Sequence, residues 1–132
     1  MKDMIFAVDF DGTLVEHDYP KIGKPVPYAF EALRSLQSEG NKLVLYTMRS
    51  GNSLDEAVEF CKKQGIVFWG INKNPEQALW TNSPKVYAHY YIDDAAVGAP
   101  LIKEEGKRPY VNWLKIREYL VINPTVQEVI LP

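Results

Sequence analysis

The chain has 132 residues, of which 46% are apolar and 24% are charged, and its formal net charge at neutral pH is −2. This length suits one domain with a buried core, so we assign residues 1–132 to a single domain, and no stretch approaches the about 20 apolar residues that span a bilayer. The slight acidic excess argues against a basic nucleic-acid-binding face, and a single cysteine with no signal-peptide layout at the start favours a cytoplasmic protein.

Short apolar runs alternate with amphipathic segments, which is typical of an α/β fold with a parallel sheet. We predict strands over the apolar runs and helices over the segments whose apolar residues recur at helical spacing. Ser53 is expected to cap the second helix, and we make no prediction for the apolar tail. In chain order, the predicted elements are strand 4–8, loop 14–25, helix 28–38, strand 43–46, helix 53–64, strand 66–69, helices 75–80 and 84–88, strand 90–92, a weak strand 100–102, helix 109–120 and the tail 121–132.

Acidic and hydroxyl side chains follow three of the predicted strands. Asp9 and Asp11 come after the first strand, Thr47 after the second, and Asp93 with Asp94 after the fourth. In open α/β sheets, ligands bind beyond the carboxyl ends of the strands. If those three strands are neighbours, the carboxylates share one crevice, and their mutual repulsion implies a bound cation. Oxygen ligands without His or Cys suit Mg²⁺ better than zinc.

The order of these residues resembles the four signature motifs of the haloacid dehalogenase superfamily. The run Asp-Phe-Asp-Gly-Thr-Leu at 9–14 resembles the first motif, Thr47 the second, Lys85 the third and the pair Asp93 and Asp94 the fourth. Together the motifs span residues 5–94. The resemblance implies a three-layer α/β/α, Rossmann-like fold with a central parallel sheet, and a magnesium-dependent phosphatase.

The resemblance also implies a role for each acidic residue. Asp9 is expected to be the nucleophile that forms an aspartyl-phosphate. Asp11 is expected to protonate the leaving oxygen and then to take a proton from the water that hydrolyses the intermediate. Mg²⁺ is expected on the Asp9 carboxylate, the Asp11 backbone carbonyl and Asp93, with Asp94 helping directly or through water.

Four residues are expected to bind phosphate or the rest of the substrate: Gly12, Thr47, Arg49 and Lys85. The Thr47 hydroxyl and the Lys85 ammonium group would hold the transferring oxygens. Arg49 follows Thr47 by two residues, and an exposed loop arginine is an equally good interpretation.

The position of Lys85 needs a bend in the chain. Lys85 lies eight residues before Asp93, and a straight strand between them would place the two about 26 Å apart. A helical turn at 84–88 would place Lys85 at a helix N-terminus, where an anion is stabilised. Lys73, after the third strand, is the alternative phosphate-binding lysine.

The remaining histidine and aromatic residues give weaker indications. His17 lies in the loop after the first motif and is a candidate for contacting substrate. His89 is expected to be packed or solvated at the entrance to the fourth strand. We interpret the Trp and Tyr side chains as core and surface packing rather than as a stacking platform.

The spacing of the motifs leaves no room for a cap domain. Only a short loop follows Gly12, and the stretch between Thr47 and Lys85 is filled by predicted core elements. Capless members of the superfamily often accept bulky substrates or close the site with a neighbouring subunit, so homo-oligomerisation is left open. Asp11 in the acid–base position favours ester hydrolysis over dehalogenation. We therefore predict a phosphatase that acts on a phosphorylated small molecule, with neither a nucleic-acid partner nor a membrane partner.

Two alternatives are retained. The first is a phosphatase that acts on a nucleic-acid end or on a phosphoprotein. The second is a receiver-like phospho-acceptor module, which also gathers Asp, Thr and Lys side chains on a parallel sheet. In receiver domains, however, the acidic pair comes early and the phosphorylated Asp lies on a middle strand. Here the acidic pair comes last.

Overall fold

A four-stranded parallel sheet lies at the centre of the computed structural model, which describes residues 1–120. The strands of this sheet are β1 (Ile5–Val8), β2 (Lys42–Leu45), β3 (Gly70–Ile71) and β4 (Tyr90–Ile92). Their order in the sheet is β3-β2-β1-β4, so β1 lies between the two strands that Thr47 and Asp93 follow. Val8 is aligned with Leu45 on one side and with Ile92 on the other. The predicted parallel α/β sheet is confirmed.

Three α-helices pack on one apolar core together with one face of the sheet. Phe6 and Val8 of β1 point to this face and are fully buried. The same cluster contains side chains from every α-helix, among them Leu33, Cys61 and Trp113. The helices are α1 (Ala29–Ser38), α2 (Gly51–Lys63) and α3 (Trp113–Leu120).

The opposite face of the sheet is covered by a mostly irregular segment rather than by α-helices. Ala7 and Val44, which alternate with the core residues, are buried but lie outside the main cluster. The Tyr91 hydroxyl on this side donates a hydrogen bond to the Val86 carbonyl at 2.5 Å. Residues 72–89, which connect β3 to β4, therefore lie against this face, and their one regular element is a 3₁₀ turn, Gln77–Leu79. The described residues contain no separate cap domain, and none of their helices is long and apolar enough to cross a membrane.

The predicted helix at 84–88 is wrong, because the side chain of Gln77 takes over the backbone groups that the helix would use. The Gln77 amide accepts a hydrogen bond from the Tyr87 N–H at 2.6 Å. It also donates to the carbonyls of Ser83 at 3.1 Å and Lys85 at 2.6 Å. These contacts hold the segment in an irregular conformation, and the predicted helix 75–80 shortens to the 3₁₀ turn.

The predicted third strand, 66–69, is displaced toward the C-terminus. The Ile66 N–H donates to the Cys61 carbonyl at 3.1 Å, so Ile66 still belongs to the end of α2. Pairing with β2 begins only at Gly70, where a Cβ would lie 2.1 Å from the Lys73 carbonyl oxygen. Glycine is therefore required at this strand position by the close approach of the backbone.

Two further boundaries differ from prediction. Helix α2 begins after Ser50, and the predicted cap Ser53 instead donates its hydroxyl to the Ser50 carbonyl at 2.9 Å within the first turn. The weak fifth strand exists as β5 (Leu101–Ile102), but it pairs antiparallel with β6 (Tyr110–Val111) in a separate sheet. Since β6 occupies the start of the predicted last helix, α3 begins at Trp113. The tail 121–132 lies outside the described residues.

Candidate active site

Three carboxylates meet at the carboxyl ends of β1 and β4. Asp9 directly follows Val8, and its N–H donates to the Ile92 carbonyl at 2.9 Å, so it lies level with Asp93. Asp9, Asp93 and Asp94 each offer an oxygen, and these oxygens lie within 4.8 Å of one another. The structure therefore brings together three of the four acidic residues that the sequence singled out.

Burial and the neighbouring carboxylates raise the pKa of Asp9. Burial raises the pKa of Asp9 to about 8, and the neighbouring charges of Asp93 and Asp94 add to the increase. Burial likewise raises the pKa of Asp93. A bound cation would remove this penalty, because it would stabilise the ionised forms.

The donor set fits a hard divalent cation. The cluster consists of carboxylate oxygens alone, with no Cys or His ligand among the described residues that form it. Mg²⁺ binds through one or two carboxylates and keeps several waters, so a half-buried group of three at the edge of a sheet suits it. Asp9, Asp93 and Asp94 are the side chains that would hold the ion.

Thr13 connects Asp9 with Asp94, and no separate role was predicted for it. Its hydroxyl donates to Asp9 Oδ2 at 3.1 Å and accepts the Asp94 N–H at 3.2 Å. Its carbonyl accepts a hydrogen bond from Trp113 Nε1 at 2.7 Å, and the residue is fully buried. Thr13 is the last polar residue of the first motif, which is the signal that could have identified it.

His17 lies against the same cluster. Its Nε2 is 2.8 Å from Asp94 Oδ2, and both side chains are mostly buried. The pair packs directly on Gly12, where a Cβ would lie 2.1 Å from His17 Nε2 and 2.4 Å from Asp94 Oδ2. Gly12 has a φ of +83°, so both the space and the backbone conformation require glycine. Its N–H donates to the Val15 carbonyl at 2.7 Å, so the backbone N–H of this expected phosphate- or substrate-binding residue is engaged within the loop.

Asp11 is not part of the three-carboxylate cluster and forms a salt bridge with Arg49. Arg49 Nε and Nη2 each donate to one oxygen of the Asp11 carboxylate at 2.8 Å. Hydrogen bonds to Asp11 are the main cause of a raised pKa of Arg49. Asp11, the expected acid–base residue, is therefore engaged by the guanidinium of Arg49 in this conformation.

Arg49 uses its other donors on the backbone. Nη1 donates to the carbonyls of Pro20 at 3.0 Å and Ser53 at 3.3 Å, and Nη2 also donates to the Lys21 carbonyl at 2.7 Å. The guanidinium carbon lies 5.0 Å from the Phe10 ring centroid, and the residue is 3% exposed. The side chain thus ties Asp11, the loop near residue 20 and the start of α2 together. It offers no spare N–H to a phosphate.

Thr47 and the two candidate lysines are less constrained. The Thr47 hydroxyl accepts the Arg49 N–H at 3.1 Å and lies beyond the end of β2, on the side of β1 opposite to Asp93. Lys85 is exposed, and its Nζ lies 5.6 Å from the centroid of the Tyr91 ring. That ring lies on the face of the sheet that carries Asp9. Lys73 is exposed in the loop after β3. Tyr91 belongs to β4, the strand that ends at Asp93, so Lys85 contacts this strand.

Comparison with known proteins identifies a relative but no activity. No family model and no curated protein matches the chain. A solved structure, described as that of the conserved protein coded by a locus from Bacteroides thetaiotaomicron, is 38% identical. The match covers 99% of this chain and 100% of that chain, with a TM-score of 0.73. The chain therefore belongs to the same family as this conserved Bacteroides protein.

Proposed function

We propose that this protein is a magnesium-dependent phosphatase of the haloacid dehalogenase type, which transfers the phosphoryl group of a phosphate monoester to Asp9. The observation that carries the proposal is the cluster of Asp9, Asp93 and Asp94, whose oxygens lie within 4.8 Å of one another at the ends of adjacent parallel strands. Receiver domains place the phosphorylated Asp after the acidic pair, so the chain order supports the phosphatase.

Asp9 is the nucleophile in this proposal. One carboxylate oxygen attacks phosphorus, a new O–P bond forms, and the bond from phosphorus to the leaving oxygen breaks. Water then attacks the phosphorus of the aspartyl-phosphate, the bond from phosphorus to the Asp9 oxygen breaks, and inorganic phosphate leaves the regenerated Asp9. The Thr13 hydroxyl, which donates to Asp9 Oδ2, orients the carboxylate. Bound Mg²⁺ supplies positive charge that lets a carboxylate approach a phosphate dianion.

Asp11 serves as the acid and then as the base. Its carboxylate, which is paired with Arg49, takes a proton from the hydrolytic water in the second step. Donation of a proton to the leaving oxygen requires the protonated form, so the first step requires the Arg49 contact to loosen when the substrate binds. Arg49 is thereby proposed to position Asp11 rather than to bind phosphate.

The substrate is proposed to be a phosphorylated small molecule. The described residues carry no cap over the cluster, so the site is open to an ester that is larger than the phosphate group itself. The HAD-like, three-layer arrangement remains part of the proposal, with residues 72–89 in the place of the helical layer on the face that carries Asp9.

The test is hydrolysis of p-nitrophenyl phosphate with and without Mg²⁺ in the wild type, in Asp9→Asn and in Asp55→Asn. Asp55 is an exposed carboxylate on α2 and serves as the matched control. We expect Mg²⁺-dependent turnover that falls by at least about 10³-fold in Asp9→Asn and is unchanged in Asp55→Asn.

A second readout addresses the intermediate directly. Acid quenching during turnover should leave phosphate covalently attached to the wild-type protein and none on Asp9→Asn. Turnover that persists in Asp9→Asn would falsify the covalent mechanism. Binding of Mg²⁺ without hydrolysis of any ester in a panel of sugar phosphates and nucleotides would overturn the assignment as a phosphatase.

A further inference from the structure

Four aromatic side chains form an exposed strip beside the carboxylate cluster. Trp80, Tyr87, Tyr91 and Tyr46 are 59%, 43%, 40% and 37% exposed. The rings of Tyr46 and Tyr91 lie 6.3 Å apart, and those of Trp80 and Tyr87 lie 5.7 Å apart in an edge-to-face arrangement. We call these four residues the aromatic strip. Neither core packing nor the proposed chemistry explains their exposure.

The aromatic strip begins at the candidate active site. Tyr91 is aligned with Ala7, so its side chain lies on the face of the sheet that carries Ala7 and Asp9. The Tyr46 N–H donates to the Val8 carbonyl at 2.8 Å, which places Tyr46 level with Asp9 on the neighbouring strand. Because Tyr91 is aligned with Ala7 and Tyr46 with Asp9, the contact between the two rings crosses β1 between these two residues. Asp9 is therefore level with the Tyr46 end of the ring contact.

A cavity continues the strip away from the carboxylates. Its volume is about 350 Å³, at the lower end of the range of small-molecule sites. No carboxylate lines it, and its one charged residue is Lys85, whose Nζ lies over the Tyr91 ring. The lining residues are Gln77, Trp80, Thr81, Ser83, Lys85, Tyr87, Ala88 and Tyr91.

We infer that the aromatic strip and its cavity bind a planar aromatic group of the substrate, so that the proposed phosphatase acts on a phosphate ester with a heteroaromatic ring, such as a nucleoside monophosphate. This inference rests on the proposed function for the phosphate end of the substrate. The aromatic faces would stack on the ring, and Lys85, whose Nζ lies over the Tyr91 ring, would offset the charge of the phosphate.

A mononucleotide fits better than a nucleic-acid chain. A polymer needs a track of cations along its phosphates. The cavity supplies Lys85 alone, and the whole chain has a net charge of −2. The substrate is therefore a small ester, with one ring in the cavity and one phosphate at Asp9.

The test compares adenosine 5′-monophosphate with ribose 5-phosphate, which has the same sugar and phosphate but no base. The proteins are the wild type, Trp80→Ala, Tyr87→Leu and the control Leu79→Ala. Leu79 is 86% exposed, adjacent to Trp80, and does not line the cavity. We expect the wild type to prefer the nucleotide by about tenfold or more in kcat/KM, since stacking of one base contributes roughly that factor. Both strip variants should lower this ratio about tenfold, and Leu79→Ala should preserve it.

Calorimetric titration of the two esters without added Mg²⁺ separates this inference from the proposed function. If neither ester is hydrolysed, yet the nucleotide binds and Trp80→Ala weakens its binding, the aromatic site stands and the phosphatase assignment fails. If both esters are hydrolysed equally well and neither strip variant changes the ratio, the phosphatase assignment stands and the aromatic site is overturned. Tight binding of a single-stranded oligonucleotide in preference to the mononucleotide would also overturn the inference.

Discussion

Both oxygens of the Asp11 carboxylate accept a hydrogen bond from the guanidinium of Arg49, each at 2.8 Å. Neither residue belongs to the carboxylate cluster of Asp9, Asp93 and Asp94. It connects the loop after β1 with the loop after β2, since Arg49 also donates to the carbonyls of Pro20 and Lys21. Such bidentate pairs combine charge with fixed geometry. The arrangement predicts a structural role for Arg49 that can be measured apart from activity.

Replacement of Arg49 by Gln should destabilise the protein by about 2–3 kcal/mol. The substitution leaves a mostly buried carboxylate and two loop carbonyls without their donors. Urea denaturation would measure the free energy of unfolding. Arg108→Gln is the matched control, because Arg108 is exposed, and it should change stability by less than about 0.5 kcal/mol. Equal effects of the two substitutions would contradict the assigned role of Arg49.

Replacement of Gly12 by Ala should disrupt the carboxylate cluster. A Cβ at this position would lie 2.1 Å from His17 Nε2 and 2.4 Å from Asp94 Oδ2, so the His17–Asp94 contact would have to open. Gly98 is a control with nearly the same φ angle, which is +85° against +83° for Gly12. A Cβ at Gly98 would have no heavy atom beyond its chain neighbours within 4 Å. Gly98→Ala should cost about 1–2 kcal/mol from the backbone alone.

The difference between the two glycine variants isolates the steric effect at the cluster. Gly12→Ala should lose more stability than Gly98→Ala, and it alone should weaken Mg²⁺ binding measured by calorimetry. If both variants bind Mg²⁺ as the wild type does, then the packing of His17 and Asp94 on Gly12 has no part in holding the cation.

Replacement of Thr13 by Val should weaken Mg²⁺ binding by about tenfold or more. Val keeps the shape of the side chain but can neither donate to Asp9 nor accept the N–H of Asp94. Thr81→Val is the control, because the Thr81 hydroxyl accepts the N–H of Ser83 at 3.2 Å in an exposed loop. Calorimetric titration with Mg²⁺ would measure the difference, and identical affinities in the two variants would rule out Thr13 as a positioning residue.

The sequence predicted the position of the carboxylates well because short-range patterns determine it. Apolar runs ending in Asp9 and Asp93 indicate buried strands with polar ends, and the parallel sheet places those ends side by side. The structure brings Asp9, Asp93 and Asp94 together at this edge of the sheet. The salt bridge between Asp11 and Arg49 could not be predicted in the same way, because it joins residues of two loops that are 38 positions apart in the sequence.

The errors at 75–80 and 84–88 have one physical origin. Local signals such as Asn-Pro and Ser-Pro predict a helix in each segment. Here they are overridden by tertiary hydrogen bonds, chiefly those from the Gln77 side chain to the backbone of residues 83–87. The same irregular segment carries Trp80 and Tyr87, so the exposure of these aromatic residues could not be predicted from their spacing.

Asp9 should make the stability of the metal-free protein depend on pH. Burial beside Asp93 and Asp94 raises the pKa of Asp9 from 3.8 to about 8 in the folded state. The folded protein therefore retains a proton that the unfolded chain releases, and this group's contribution to the free energy of unfolding is greatest below about pH 4 and declines as the pH rises to about 8. Urea denaturation in EDTA at about pH 5 and about pH 8 would measure the decline. It should be smaller in Asp9→Asn, which cannot ionise at this position, and unchanged in Asp55→Asn. A wild-type decline no larger than that of Asp9→Asn would show that the cluster does not hold this proton.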